Sequence, residues 1–328
     1  MEQRRFSGKG HWYHETQSNH SQTDVLPLVP EAANVDDRFL LDLALPDEIV
    51  AACSGWLTPA RNLCHMLFPL EIAVNRLHTL SAYDRLSTAL TVAQACGVQR
   101  LCNHYAALLA PLPGPDSSRE SNRRLAQITQ YARQLASSPD IIDDKAHGQL
   151  DEVGLTTFDI VVINQIIGFI GFQARVVAVF QALLGHPVRW LPGHHIQPHA
   201  RPPCITPWVS LLPVVELRYA SAQQLETLSR WQAEPALEAL TPVLCHEPTL
   251  LDLTGEILIH CREDQTPSLA VLSSAIDLLT CSPDRFSAAQ FTPLTDEGLS
   301  AVSAINLLSR SAIYGWLERL GIALGKQE

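Results

Sequence analysis

LASSPDIIDDKAHGQLDEVGLTTFDIVVINQIIGFIGFQARV (Leu135–Val176) and LTCSPDRFSAAQFTPLTDEGLSAVSAINLLSRSAIYGWLERL (Leu279–Leu320) align without a gap at an offset of 144 residues. Ser138-Pro139-Asp140 meets Ser282-Pro283-Asp284, Gly154-Leu155 meets Gly298-Leu299, Gly171 meets Gly315 and Arg175 meets Arg319. Both copies read as the same plan. A helix ends at a Ser-Pro-Asp corner, because proline drives the preceding residue out of the α region. A short helix follows and stops at a glycine able to turn left-handed. Thr156-x-x-Asp159 then opens a long apolar helix as a capping box, and Ser300 with Ser303 opens its counterpart.

The rest of the chain predicts an all-α fold. Leu and Ala are abundant, aromatic residues make up 6%, and alternating strand patterns are nearly missing. Ser81-x-x-Asp84 and Ser221-x-x-Gln224 open further helices, and Ala110–Ser118 is a proline-rich loop. These features divide the 328 residues into an N-terminal arm (1–40), a first helical unit (41–190), a linker (191–210) and a second, shorter unit (211–328). Asp159–Gly185 is long enough to span a bilayer. It carries Asn164, Gln165, Gln173 and Arg175, and an arginine at mid-membrane costs roughly 2.5–3.5 kcal/mol. It is therefore expected to be the buried helix of a soluble, cytoplasmic protein. A formal net charge of −11 argues against nucleic acid and against an anionic membrane surface. Eight cysteines without close pairing are expected as reduced thiols.

The chemistry-bearing residues concentrate in ACGVQRLCNHY (Ala95–Tyr105). Cys96 and Cys102 are six apart, which on one helix means about 9 Å of rise and roughly 240° of rotation, too far for a disulfide. Only a break at Gly97 would bring them closer. Cys102 and His104 lie about 200° apart. The residue pattern alone thus favours two buried thiols and a solvent-facing or core-edge histidine. His194, His195, His199 and Cys204 in the linker are metal-capable types but read as loop residues, so no metal or cofactor is expected. In the arm, Trp12 and Tyr13 between His11 and His14 read as an anchor on a neighbouring surface. Cys64-His65 and Cys245-His246 read as core cysteines beside a histidine. Arg175 and Arg319, in apolar surroundings, need an acidic or carbonyl partner, and a structural ion pair is the favoured expectation.

Leu80–Leu112, followed by Gly154–Ala178, Ile205–Leu228 and Leu294–Gly325, resembles the AhpD-like, carboxymuconolactone decarboxylase superfamily, and within it the long peroxidase-related members with two tandem units. The likeness covers nearly the whole chain. It implies a hydroperoxide-reducing or thiol-redox oxidoreductase that assembles as a homo-oligomer. The family's motif is an acid about a dozen positions before Cys-x-x-Cys-x-x-x-His. Setting His104 on the motif's histidine places Gly97 and Arg100 at the two cysteine positions, with Asp84 close to the acid's place. The resemblance therefore nominates Cys102, His104, Cys96 and Asp84 as participants. In the second unit the corresponding segment is missing, leaving His260-Cys261 as a stray pair. The alternative expectation is a catalytically silent scaffold that binds a small ligand, haem or a protein partner.

Overall fold

The structure is a computed structural model that describes residues 27–188, 196–197, 208–261 and 270–327. It is mostly helical. The first part comprises α1 (Asp47–Ala52), α2 (Ser54–Leu67), α3 (Ala82–Cys96), α4 (Gln99–Leu109), α5 (Arg119–Ser137), α6 (Asp144–Asp151) and α7 (Thr157–Leu183). The second comprises β1 (Trp208–Ser210), α8 (Ala222–Trp231), α9 (Thr241–Leu244), α10 (Pro248–His260), α11 (Ala270–Cys281), α12 (Ala288–Asp296), α13 (Ala301–Leu324) and β2 (Gly325–Gln327).

Local signals set the boundaries. The capping boxes at Ser81/Asp84, Thr156/Asp159 and Ser221/Gln224 are all formed, and Ser300 Oγ accepts the Ser303 amide. These bonds satisfy amides that a helix start leaves orphaned. Ser138 and Ser282 have nearly the same backbone angles (φ −147°, ψ 65° and φ −150°, ψ 65°), each leading into a 3-10 turn on its proline. Gly154 and Gly298 take positive φ, 84° and 96°, a conformation that costs glycine nothing.

The two long helices, α7 and α13, pack on one another at the centre. Gly168 provides the contact: a Cβ built there would lie 1.7 Å from Trp316 Cδ1. Trp316 packs between Phe169 and Phe172, with ring centroids 6.0 Å from each. Trp56 of α2 stacks on Phe180 and donates its indole N–H to Asn306 of α13. α7 is apolar and long enough to cross a membrane, yet 89% of its most apolar window is buried within the protein.

Arg175 and Arg319 depart from the expected ion pair. Each is nearly fully buried and each donates to carbonyl oxygens. Arg175 bonds Gly171 O (2.8 Å) one turn back and Thr280 O (2.7 Å) at the end of α11. Arg319 bonds Gly315 O (2.8 Å) and Ala136 O (3.2 Å) at the end of α5. A helix C-terminus presents unpaired carbonyls and the negative end of its dipole, so a guanidinium fits there without a carboxylate. Each long helix thus caps a helix belonging to the other half. Between them, the amides of Ile196 and Gln197 donate to Cys281 O and Ser137 O, both 2.9 Å.

The strands are the element that sequence patterning does not anticipate. β1, at the end of the expected linker, pairs antiparallel with β2, Trp208 opposite Gln327. Trp208 secures it through its indole N–H to Gly321 O (2.8 Å). A Cβ at Gly325 would lie 2.1 Å from that ring.

Candidate functional site: the α3–α4 corner

α3 and α4 are separate helices because Gly97 stops the first. Gly97 sits at φ 72°, and its amide returns to Ala93 O and Gln94 O. Asp284 in the Ser-Pro-Asp corner of the second half packs on it, so that a Cβ at Gly97 would lie 2.9 Å from Asp284 Cβ. Across this break Cys96 lies close enough for its charge to raise the Cys102 thiol. Both remain free and buried, 3% and 7% exposed. Burial raises the Cys102 thiol to about 12. It raises Cys96 as well, despite the opposing fields of Arg175 and Arg319. The thiolate is the nucleophile, and neither sulfur reaches it near neutral pH.

The other two nominated residues are occupied elsewhere. Asp84 forms the capping box with Ser81 and lies 3.5 Å from Arg124. It stands twelve residues before Cys96 on a continuous α3, about 18 Å along the axis. His104 is buried rather than solvent-facing. Its Nδ1 lies 2.7 Å from Ala32 O, so this nitrogen carries the proton, and the ring meets Tyr105 edge-on. Tyr105 in turn donates to Gln173 Oε1 (2.7 Å), whose amide nitrogen holds the carbonyls of Arg38 and Phe39. Burial lowers His104 to about 4, partly offset by its bond to Ala32. The corner therefore holds the two cysteines on either side of the Gly97 turn, with Asp84 in the α3 cap and His104 bonded to Ala32 O.

His104 makes a pH prediction. The unfolded chain takes up a proton near pH 6.5, while the folded one resists until about 4. Between these values the unfolded state binds more protons, so stability falls on acidification. His104→Gln is expected to remove roughly 1–3 kcal/mol of that acid sensitivity. Urea denaturation of both proteins at neutral pH and near pH 4.5 measures it; equal slopes with pH would contradict the buried neutral ring.

The remaining cysteine–histidine pairs split their side chains. Cys64 points its thiol at Arg38 O and Cys245 at Gln224 O, burial raising them to about 12 and about 11. His65 is exposed, while His246 bonds Pro213 O (2.7 Å). Cys261 is buried, and His260 bonds Glu256 O one turn back. Among the described residues, no group of three His, Cys, Asp or Glu side chains could hold a metal ion. His11–His14 and the linker residues His194, His195, His199 and Cys204 lie outside the described residues.

A pocket of about 310 Å³ opens on the outer side of the same corner. Gly97 and Arg100 line it from the α4 start, Gln181 and His186 from the end of α7, and Asp284 and Phe286 from the second half. Sequence reasoning passed over Gln181, His186 and Phe286; it met Asp284 only in the repeated Ser-Pro-Asp corner, Gly97 as a possible helix break, and Gly97 and Arg100 as departures from a motif. α4 begins without a side-chain cap, its N-cap being Val98. No protein-family model matches the chain, and no curated protein matches it.

Proposed function

We propose that this chain is a tandem, AhpD-like helical scaffold that has lost the peroxidase thiol pair and binds a small polar molecule where that pair would stand. One observation carries the reading: Gly97 and Arg100, the residues that fall on the motif's cysteine positions, both line the pocket. The cysteines that remain, Cys96 and Cys102, are buried and do not line it, and burial raises both thiols. The duplication behind the tandem arrangement is supported by the arginine contacts. Arg175 and Arg319 are 144 apart, and so are their distant acceptors, Ala136 and Thr280. The donors' near acceptors, Gly171 and Gly315, repeat the same offset. Reciprocal contacts of this kind follow naturally when two copies of one helical plan pack about a pseudo-twofold axis. A pocket built partly by each copy then arises at their junction.

The test is hydroperoxide turnover. Full-length protein is mixed with cumene hydroperoxide and excess dithiol, and peroxide consumption is followed. The expected rate equals the protein-free blank, with Cys96→Ser and Cys102→Ser indistinguishable from the parent. Catalytic consumption abolished by either substitution would restore the oxidoreductase and end the scaffold reading.

A further inference from the structure

We infer that the pocket at the α3–α4 corner takes a small zwitterion of the α-amino-acid type, its carboxylate at Arg100 and its ammonium at Asp284. This rests on the reading of the corner as a ligand site and adds the chemistry of the occupant. Arg100 and Asp284 come from opposite halves and share the pocket wall, yet they do not form an ion pair with one another. Arg100 spends one guanidinium nitrogen on Leu41 O (2.8 Å), which fixes its stem and leaves the rest of the fork available for a planar carboxylate. The uncapped first turn of α4 adds positive potential on the same side.

Asp284 supplies the opposite pole. It is 9% exposed, and burial raises its carboxyl, an effect that the charge of Arg285 and the backbone amides of Asp284 and Arg285 partly offset. A bound cation would relieve that desolvation. Gly97 touches Asp284 and forms the turn that leads into α4, three positions before Arg100 in the chain. Both poles line one pocket, which suits a small ligand that carries a carboxylate and an ammonium together. A simple anion would meet Asp284 as a like charge, and a simple amine would meet Arg100 the same way. Phe286, Pro187 and Val188 add apolar wall for a short side chain. The volume of about 310 Å³ lies at the lower limit of ordinary ligand sites and suits a small occupant.

The experiment is a thermal-shift screen, followed by calorimetric titration, of the full-length chain. The probes are the common L-α-amino acids, the matching amines without the carboxylate and the matching acids without the ammonium, each at about 10 mM. A parallel arm holds sugars, nucleosides, inorganic phosphate and short fatty acids. The expected result is binding of at least one amino acid, with its amine and its acid both weaker by about tenfold or more. Arg100→Gln and Asp284→Asn should each weaken it comparably. The analogue series on the unaltered protein decides the matter even where a variant folds poorly. Equal binding of the acid or the amine overturns the zwitterion. A shift only in the parallel arm overturns it too and leaves the ligand-site reading standing. No shift in any arm overturns both.

Discussion

Gly168→Ala should destabilise the protein by roughly 2–4 kcal/mol, although glycine to alanine inside a helix ordinarily stabilises by about 1 kcal/mol. The sign reverses because the added methyl would stand 1.7 Å from Trp316 Cδ1 and 2.2 Å from Nε1. No helix adjustment absorbs an overlap of that size, so Trp316 must leave its place between Phe169 and Phe172. A fully buried indole carries several kcal/mol of packing and transfer free energy. The control is the double variant. Trp316→Leu alone should cost about 3 kcal/mol; added to it, Gly168→Ala should be neutral or stabilising. Urea denaturation curves for the four proteins read the coupling directly, and a cost for Gly168→Ala that persists with Leu at 316 would refute the contact.

Replacing either buried arginine by methionine should cost roughly 2–4 kcal/mol. Arg319→Met leaves Ala136 O without its donor at the α5 terminus, and Arg175→Met does the same to Thr280 O on α11. Each orphaned buried carbonyl costs about 1–3 kcal/mol, and imperfect filling of the vacated volume adds to it. Opposing this is the relief of like-charge repulsion. Arg175 helps to lower Arg319 to about 10, though burial is the larger cause. The single costs are therefore capping loss minus repulsion.

Much of this fold is legible in the residues. The caps at Ser81, Thr156, Ser221 and Ser300 and the glycine stops are local chemistry, set within four positions of chain. α7 shows no helical stripe because it is buried on every side, and its length and the polar interruptions at Asn164, Gln165, Gln173 and Arg175 carry the reading instead. What the pattern hides is what distant residues do to one another. Backbone carbonyls leave no mark in a sequence, so the arginines' real acceptors are invisible there. β1 and β2 are three residues each, held by Trp208 on Gly321. Arg100 and Asp284 line one pocket only because the two halves pack together. His104 reads as solvent-facing or core-edge in the sequence because its acceptor, Ala32, belongs to the distant N-terminal segment. The Cys96–Cys102 question likewise turned on whether Gly97 breaks the helix, a backbone choice that the neighbouring Asp284 helps to fix.

The reciprocal capping of the two halves is the claim on which the corner, the pocket and the proposed duplication all stand. Its most direct measurement is the double-mutant cycle of Arg175→Met and Arg319→Met, followed by urea denaturation. If the guanidiniums face each other across the junction, removing the first relieves repulsion that the second removal cannot relieve again. The double variant should then cost more than the sum of the singles, by about 0.5–2 kcal/mol, and the excess should shrink in high salt less than a surface pair would. Strict additivity would place the two arginines in separate environments and contradict the account.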